Sequence, residues 1–397
     1  MSEIMTSRRS PMYNQLKEHG MVSYETSNWE APFYFEANER RVDRFDTPSH
    51  VDEHESIGIE HKAVRETAGL CDLTSLAPIE IAGSSAPDFV QELCSNDMSR
   101  DVGQARYTLI LDEEGGILAD VVVTRLADER YFVVAFGGAT ASEVTQWIAN
   151  RAPADVSVTN LDDAYACIGV WGPAAREVVQ PLTEADLSTD SFPYFTSQQF
   201  EISGIPVTAQ RVSYVGELGW ELWTTMGYVS ELWDELWKSG KEQDAVPMGF
   251  GALDTMGVEK GNRFLGFDIG PEYDPFEAGL ERWVDMDTEF VGKAALEQAE
   301  ADGIDRKIAC ITMDDRTVHP DIGQPVLTDD EVVAETVRTA YGYSVDESIA
   351  YAYVPIEFTE PGSNVEIEIE IDGSRHSGTV QEEPLFDPEY ERVRSSG

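Results

Sequence analysis

The sequence predicts an α+β protein that has two related lobes, each an α/β sandwich, followed by a small C-terminal β-barrel. Helical and strand-like stretches alternate through residues 56–297, as expected where helices cover an antiparallel sheet. A strand, a helix and a hairpin occur in this order twice, over about 56–152 and 153–297. Short strands with Gly and Pro turns fill residues 306–397 and favour a barrel. Residues 1–55 are polar and aromatic, and we expect them to form an arm packed on the body.

The first lobe is expected to begin with a helix that Gly69 ends before a strand over 69–73. A second helix is predicted over 86–94, because apolar residues recur there at the spacing of one helical face. This helix breaks at Asn96 and Asp97, whose short polar side chains bond to nearby backbone and so favour turns.

A β-hairpin is predicted after this break. Its strands are expected over 107–111 and 117–126, and the turn between them contains two glycines that supply a positive φ. Asp97 would stand at the end of the helix and face the hairpin. Such a position can place one ionised group on a cavity wall, so Asp97 is a candidate functional residue.

The second lobe repeats this pattern. A strand over 164–170 is followed by a helix over 174–180 and by a hairpin with its turn at Ser203 and Gly204. A helix over 229–238 carries leucine and tryptophan residues on one side, which indicates core packing. Because a pocket between lobes is a usual ligand site, we expect the functional site there.

The charge balance is strongly acidic. The chain has 75 Asp and Glu residues against 28 Lys and Arg residues, a formal net charge of −47. At molar salt the Debye length is about 3 Å, so the resulting repulsion is screened. We interpret this as adaptation to a salty cytoplasm of the halophilic kind, with an acidic mesophilic protein as the alternative. Nucleic acid and anionic membranes are not expected as partners, because phosphate binding needs a basic patch.

The sequence lacks the patterns of metal sites, disulfides, nucleotide-binding loops and membrane spans. The four cysteines are widely spaced in apolar surroundings, so neither a metal site nor a disulfide is expected. Gly115 and Gly116 lie in a hairpin turn and do not open a helix, which argues against a Rossmann phosphate loop. The sequence has neither an apolar run near 18 residues nor a signal peptide, so a cytoplasmic protein is expected.

Several motifs then resemble one family. The spacing of the following residues closely resembles the folate-dependent aminomethyltransferases, whose type member is the T-protein of the glycine cleavage system: Asn96, Asp97, Tyr107, Thr108, Gly115, Gly116 and Asp120. The segment 214–221, YVGELGWE, resembles the same family's Y-T-G-E-x-G-F/W-E. The tail from Pro384 to Arg394 resembles the ending of the dimethylglycine branch, and the N-terminal run 28–34 resembles the entry segment of dimethylglycine and sarcosine dehydrogenase C-terminal domains. The apolar residue Leu253 resembles the dehydrogenase-linked and demethylase branches.

This resemblance implies tetrahydrofolate as the cofactor. It implies that Asp97 is catalytic, orienting the reactive nitrogen or stabilising positive charge that develops on the transferred group. Glu217 matches the acid that binds the pterin ring in relatives, since two parallel acceptors suit a ring N–H and an exocyclic NH₂. The further implied cofactor-binding residues are Tyr107, Tyr214, Asn96 and Trp220.

The predicted helix near residue 255 departs from the family pattern. Leu253 stands where the T-protein has an arginine, and Gly257 stands where most relatives have a second arginine. Glycine costs about 1 kcal/mol of helix propensity relative to alanine, so Gly257 indicates a close approach of another group to the backbone.

The function implied is a tetrahydrofolate-dependent one-carbon (methyl or aminomethyl) transferase acting on a small methylated amine, sulfonio or glycine-derived donor. A glycine cleavage T-protein proper and a non-catalytic folate-binding protein or subunit are the alternatives. The resemblance implies a flavin dehydrogenase or a lipoyl carrier protein as partners beside the small-molecule donor.

Overall fold

The computed structural model describes residues 7–26, 28–36, 52–135, 139–369 and 373–395. Eight α-helices lie in these residues: α1 (Tyr13–Glu18), α2 (Asp52–Glu66), α3 (Ala86–Leu93), α4 (Ala139–Ala149), α5 (Ala175–Val179), α6 (Val229–Lys241), α7 (Phe250–Glu259) and α8 (Lys293–Asp302). Three 3-10 helices accompany them: Gln180–Leu182, Glu281–Trp283 and Ile356–Phe358. Within the described residues, none of the helices has both the length and the apolar character needed to cross a membrane.

The N-terminal residues form a small sheet that packs on the body. Its strands are β1 (Arg8–Arg9), β2 (Met21–Thr26) and β3 (Trp29–Phe35). Glu60 of α2 ties this sheet to α7, because its carboxylate accepts the N–H of Phe35 (2.6 Å) and the N–H of Gly249 (2.8 Å). Of the predicted arm, residues 1–6, 27 and 37–51 lie outside the described residues.

Eleven strands follow and form the two sheets of the body. They are β4 (Gly69–Asp72), β5 (Ala77–Gly83), β6 (Ala105–Leu111), β7 (Ile117–Ala127), β8 (Arg130–Ala135), β9 (Val156–Asn160), β10 (Tyr165–Trp171), β11 (Ser197–Ile202), β12 (Ile205–Gln210), β13 (Gly219–Thr225) and β14 (Val246–Met248). One sheet has the order β6-β7-β8-β5-β9, and the other has the order β11-β12-β13-β10-β4-β14. The lobes therefore exchange strands, since β4 pairs with β10 and β9 pairs with β5.

The two sheets meet beside the β6–β7 hairpin. The N–H of Ala105 donates to the carbonyl of Phe195 (2.9 Å), which bonds the start of β6 to the segment before β11. The side-chain amide of Gln210 on β12 donates to the hydroxyl of Thr124 on β7 (2.6 Å) and is itself buried. These bonds fix the hairpin against the second sheet, so side chains from both lobes can face one space.

The C-terminal strands close a barrel, as predicted. They are β15 (Arg306–Met313), β16 (Pro325–Thr328), β17 (Glu331–Gly342), β18 (Glu347–Pro355), β19 (Asn364–Ile369) and β20 (Ser374–Gln381), in the closed order β15-β18-β17-β16-β19-β20. The barrel docks on α7: the hydroxyl of Tyr351 donates to the carbonyl of Val258 (3.0 Å). The predicted α+β architecture, with two mixed lobes and a terminal barrel, is confirmed.

Candidate functional site

A cavity of about 390 Å³ lies where the two lobes, the end of α7 and the C-terminal segment meet. This volume falls within the range of about 300–1,000 Å³ that is usual for small-molecule sites. Its walls are rich in aromatic side chains, which offer large apolar faces with a few polar tips. These are Tyr107, Tyr194, Phe195, Tyr214, Trp283 and Tyr390.

Asp120 is a buried acid in the cavity wall. It lies in the middle of β7 opposite Leu109, and its side chain is only 3% exposed. One carboxylate oxygen accepts the hydroxyl of Tyr107 (3.2 Å), whereas Oδ1 is buried without a hydrogen-bond partner among the described residues. Burial raises the pKa of Asp120 to about 7. A buried acceptor without a partner is costly, so it marks a place where a ligand donor would be stabilised.

Glu221 is a second buried acid in the same wall. It lies on β13, is 1% exposed, and its Oε2 has no hydrogen-bond partner among the described residues. Burial raises the pKa of Glu221 to about 7. The cavity thus contains two carboxyl groups, one from each lobe, each with an oxygen that can accept a further hydrogen bond. Such a pair suits a ligand that presents several N–H groups.

The cations of the cavity divide into two kinds. Lys260 and Arg263 are buried and hold the C-terminal segment: Lys260 donates to the carbonyl of Asp387 (2.7 Å), and Arg263 pairs with both oxygens of Glu383 (3.0 and 2.8 Å). Burial lowers the pKa of Lys260 to about 8. Arg282 and Arg394 are exposed and line the cavity, and Arg282 donates to the hydroxyl of Tyr390 (3.0 Å). They make the solvent-facing end of the cavity positive, although the chain as a whole is acidic.

The structure brings two of the predicted site residues, Tyr107 and Tyr214, to the cavity. The ring of Tyr214 lies against the backbone of α7, where a Cβ on Gly257 would be 2.3 Å from its Cε1. The predicted close approach at Gly257 is therefore confirmed. The hydroxyl of Tyr214 accepts a hydrogen bond from Arg338 of the barrel (3.0 Å).

Asn96 and Asp97 do not line the cavity. The side-chain amide of Asn96 donates to the carbonyl of Tyr107 (3.1 Å), so this residue fastens the helix break to the hairpin. The Asp97 carboxylate accepts the N–H of Ser99 (2.8 Å) and its hydroxyl, and it pairs with Arg100 (3.1 Å). The hydrogen bonds from Ser99 lower the pKa of Asp97. Its contacts are those of a residue that closes a turn, and a catalytic role for Asp97 stays a prediction.

Glu217 and Trp220 also lie outside the cavity lining. Glu217 is buried, and its carboxylate accepts hydrogen bonds from Arg65 (2.9 Å) and from Arg392 (2.7 and 2.8 Å). These bonds occupy both oxygens and fasten the C-terminal segment to α2. Trp220 packs in the core of the second lobe, because successive side chains of β13 point to opposite faces and Glu221 takes the cavity side. Their predicted roles in cofactor binding stay untested predictions.

Asp120 and Glu221 were not among the predicted site residues, although the sequence carries a signal for each. Asp120 interrupts the apolar run ILADVVV, and Glu221 interrupts GWELW. An acid within a run of buried strand residues is either paired or functional, since an isolated buried charge is unfavourable. Weighing burial above turn signals would have selected these two residues.

Two protein-family models match successive parts of the chain. The model described as "GCVT N-terminal domain" matches residues 12–288, and the model described as "Glycine cleavage T-protein C-terminal barrel domain" matches residues 306–387. The chain is 32% identical over 394 residues to mitochondrial dimethylglycine dehydrogenase of Mus musculus, covering 98% of this chain and 45% of that protein. It therefore spans a little under half the length of that relative.

Two further relatives are similar over most of their length. An aminomethyltransferase of Lysinibacillus sphaericus is 31% identical over 381 residues, covering 96% of this chain and 98% of that protein. The structure of the glycine cleavage system aminomethyltransferase T from Bartonella henselae superposes with a TM-score of 0.84 at 22% identity, covering 96% of this chain and 98% of that one. This last similarity supports the fold.

Proposed function

Because this chain belongs to the glycine cleavage T-protein family, we propose that it is a tetrahydrofolate-dependent one-carbon transferase whose cofactor binds in the 390 Å³ cavity. The observation that carries the proposal is the pair of buried carboxyl groups, Asp120 and Glu221, each with an oxygen that lacks a partner among the described residues. They face a cavity whose walls are otherwise mainly aromatic.

The residues present fit tetrahydrofolate. A pterin ring offers N–H and NH₂ donors, which the open carboxylate oxygens can accept. The aromatic walls suit the flat pterin and benzoyl rings. Arg282 and Arg394, exposed at the solvent-facing end, suit the carboxylates of the folate tail, because arginine binds carboxylates with two parallel hydrogen bonds.

The positions of two buried acids support the roles that we propose for them. The family resemblance attributes ring binding to Glu217, whose two oxygens already accept hydrogen bonds from Arg65 and Arg392, whereas Oε2 of Glu221 in the same segment has no partner among the described residues. We therefore assign ring binding to Glu221. By the same reasoning, we assign the catalytic carboxylate to Asp120, since Asp97 closes a surface turn.

Asp120 is suited to hold and release a proton. Tetrahydrofolate, when bound, supplies the amine nitrogen that accepts the one-carbon unit. With a pKa of about 7, the carboxyl group of Asp120 is partly ionised at neutral pH and can take up the proton released there. Its ionised form stabilises positive charge that develops nearby. Tyr107, which donates to the same carboxylate, fixes its orientation.

The donor is proposed to be a small methylated amine, sulfonio or glycine-derived compound. The similarity to dimethylglycine dehydrogenases over 98% of this chain favours an amine donor, with a flavin dehydrogenase as a partner. The 31% identity to an aminomethyltransferase over 96% of this chain favours the second candidate, a T-protein that works with a lipoyl carrier protein.

Turnover tests the assignment of the catalytic acid through a matched pair of variants. Purified protein in molar KCl is incubated with tetrahydrofolate and candidate donors, and methyl- and methylene-tetrahydrofolate are quantified. We expect Asp120→Asn to lower kcat by about 10²-fold or more, the usual size of a lost acid–base group, and Asp97→Asn to leave it nearly unchanged. Loss of turnover in Asp97→Asn but not in Asp120→Asn would reject the assignment.

Calorimetric titration with 5-formyltetrahydrofolate tests the assignment of ring binding to Glu221. We expect Glu221→Gln to weaken binding by about tenfold or more, the usual effect of losing a charged hydrogen-bond acceptor. Glu217→Gln should lower thermal stability with a smaller effect on affinity. If Glu217→Gln weakened the binding of 5-formyltetrahydrofolate more than Glu221→Gln did, ring binding would be assigned to Glu217 instead.

A further inference from the structure

The barrel reaches the 390 Å³ cavity from behind its wall. In the described ranges none of the six barrel strands contributes a lining residue, yet Arg338 of β17, which is only 2% exposed, contacts two residues that do line it. Nη2 of Arg338 donates to the hydroxyl of Tyr214 (3.0 Å), and Nη1 donates to the carbonyl of Asn262 (2.7 Å). Arg338 therefore holds two parts of the wall at once.

The two wall residues are also bonded to each other. The side-chain amide of Asn262 donates to the carbonyl of Tyr214 (2.5 Å), and the ring of Tyr214 lies against Gly257 of α7. A guanidinium group is planar and donates in set directions, so it can fix the positions of several acceptors together. The position of the Tyr214 ring thus depends on a side chain of the barrel.

Two acids balance the charge of Arg338. Asp254 of α7 accepts from Nη2 (2.6 Å), and Asp268 accepts from Nη1 (2.9 Å). Asp268 is fully buried, and its other oxygen accepts the N–H of Phe264 (2.5 Å). Removal of the guanidinium would leave the negative charges of both acids without a cation behind the cavity wall, one of them buried.

These charges act on Asp120, the acid that we propose as catalytic. Burial is the main cause of the raised pKa of Asp120; the hydrogen bond from Tyr107 opposes it, the charge of Asp268 adds to it, and the charge of Arg338 opposes it. Neither Asp268 nor Arg338 lines the cavity, so changing them alters the charge near Asp120 without altering the lining. The ionisable side chains that share the lining with Asp120 and Tyr107 are Tyr194, Tyr214, Glu221, Lys260, Arg263, Arg282, Tyr390 and Arg394.

We propose that Arg338 is a positioning residue for the transfer reaction: it orients Tyr214 and Asn262 in the cavity wall, and its charge offsets that of Asp268 near Asp120. The proposal rests on the proposed function, in which Asp120 holds and releases a proton. The barrel thus influences both the shape and the charge of the site through a side chain that does not line the cavity.

Two variants of Arg338 separate its charge from its geometry. Infrared difference spectra over a pH series at constant molar KCl follow the C=O stretch of buried carboxyl groups, and the band that is absent in Asp120→Asn belongs to Asp120. We expect Arg338→Met to raise the midpoint of this band by at least about 0.5 pH, because a nearby cation lowers the pKa of a carboxyl group. Arg338→Lys keeps the charge, so its midpoint should stay close to the native value.

Folate binding measures the geometry. In calorimetric titrations with 5-formyltetrahydrofolate we expect both variants to bind at least about fivefold more weakly, since neither methionine nor lysine can replace the planar fork that holds Tyr214 and Asn262. Arg375→Met is the control, because Arg375 pairs with Glu368 and Asp330 on the exposed side of the barrel. It should change neither the midpoint of Asp120 nor the affinity for the folate.

Asp268→Asn tests the same charge effect with the opposite sign. It should lower the midpoint of Asp120, and it decides the charge effect if Arg338→Met does not fold. An unchanged midpoint in Arg338→Met or in Asp268→Asn, or native folate affinity in Arg338→Lys, would overturn the proposal. If the native chain does not bind the folate, the proposed function fails, whereas the infrared midpoints still decide whether Arg338 acts on Asp120.

Discussion

Glu217 and Glu221 are four residues apart and both buried, yet their environments differ. Glu217 accepts hydrogen bonds from two arginines, whereas Glu221 keeps an oxygen without a partner in the described part of the chain. The same contrast separates Asp97, which closes a surface turn, from Asp120 on the cavity wall. Removing one partner of a buried ion pair is usually costly, and a buried acid oxygen without a partner is unfavourable until a ligand donor binds to it.

This contrast predicts opposite effects of pH on two asparagine variants. Burial raises the pKa of Asp120 from 3.8 to about 7, so the folded state binds this proton more tightly than the unfolded state. The contribution of the Asp120 carboxyl group to the free energy of unfolding is highest below pH 4 and is lost as the pH rises towards 7. Asp120→Asn should therefore stabilise the cofactor-free protein at pH 8, by on the order of 1–4 kcal/mol, and much less at pH 5.

Asp97→Asn is the control for this prediction. Hydrogen bonds from Ser99 lower the pKa of Asp97, so its contribution to stability is present above pH 4 and is lost as pH falls through the lowered pKa. We expect this variant to be less stable than the native chain at both pH 5 and pH 8. Thermal unfolding at the two pH values checks both variants. If Asp120→Asn changed the melting temperature equally at pH 5 and pH 8, the pKa of Asp120 would not be raised.

At this scale the close packing at Gly257 could be predicted from the sequence, whereas the roles predicted for Asp97 and Glu217 stay untested. A close approach at Gly257 could be predicted because glycine lowers helix propensity. Glycine is therefore expected where a neighbouring group occupies the space that a side chain would take, as the ring of Tyr214 does here. Asp97 and Glu217 were selected because turn residues and motif acids are conspicuous in a sequence. Which of two nearby acids faces a cavity depends on burial and on partners distant in sequence, such as Arg392 for Glu217. Those partners are set by the tertiary fold.

At the scale of single elements, α7 links the barrel to the 390 Å³ cavity. Tyr214 packs on Gly257 in this helix and receives a hydrogen bond from Arg338 of β17. The ring thereby takes a fixed position in the wall of the 390 Å³ cavity. Its position requires a helix backbone that lacks a side chain at residue 257.

Gly257→Ala should displace this wall. The added methyl group would lie 2.3 Å from Cε1 of Tyr214, so the ring must move. We expect a loss of about 1–3 kcal/mol of stability, as is usual for overpacking, and weaker binding of 5-formyltetrahydrofolate. Gly227→Ala is the matched control, because a Cβ there meets nothing within 4 Å. Unchanged folate affinity in Gly257→Ala would show that Tyr214 does not shape the cavity.

The C-terminal segment is a second element that shapes the cavity. Arg392 fastens it to Glu217, and Tyr390 and Arg394 of this segment line the cavity. Removing the arginine leaves a buried carboxylate with fewer donors, which is usually costly. Arg392→Met should therefore lower the melting temperature and raise the Kd for folate.

Arg375→Met is the control for this change. Arg375 pairs with Glu368 and Asp330 on the exposed side of the barrel, where ion pairs contribute little. Circular dichroism melts and folate titrations of the two variants provide the comparison. Equal effects of both changes would argue that the segment is not held by Glu217.

Local patterns were sufficient to predict most elements. The hairpin expected over 107–126 is β6 and β7, and the helix expected over 229–238 is the first part of α6. Sheet membership was harder to predict, because strand order depends on long-range pairing. Thus β4 follows α2 in the chain but pairs with β10 and β14, about 100 and 180 residues away, which no local periodicity indicates.

At the scale of the whole molecule, the net charge of −47 sets the conditions for stability. Many acids are exposed, and their mutual repulsion opposes the compact state when salt is low. The arginines at the solvent-facing end of the 390 Å³ cavity are an exception to this acidic surface. They give the cavity a local field that favours an anionic ligand tail.

Stability should therefore rise with salt. We expect the melting temperature to increase from 0.1 M KCl towards molar KCl and then to level off, since the Debye length falls from about 10 Å to 3 Å over this range. A sucrose series at constant 0.1 M KCl is the control for non-ionic effects of the solute. A melting temperature that does not depend on KCl would contradict the interpretation of the charge as an adaptation to salt.

The central claim is that the pterin ring binds between Asp120 and Glu221, with one acid from each lobe. A crystal structure of the chain with 5-formyltetrahydrofolate, grown at molar KCl, tests it most directly. We predict pterin nitrogens within hydrogen-bond distance of Oδ1 of Asp120 and Oε2 of Glu221. A pterin bound elsewhere, with both oxygens still unpaired or with Asp97 and Glu217 as its partners, would contradict the account.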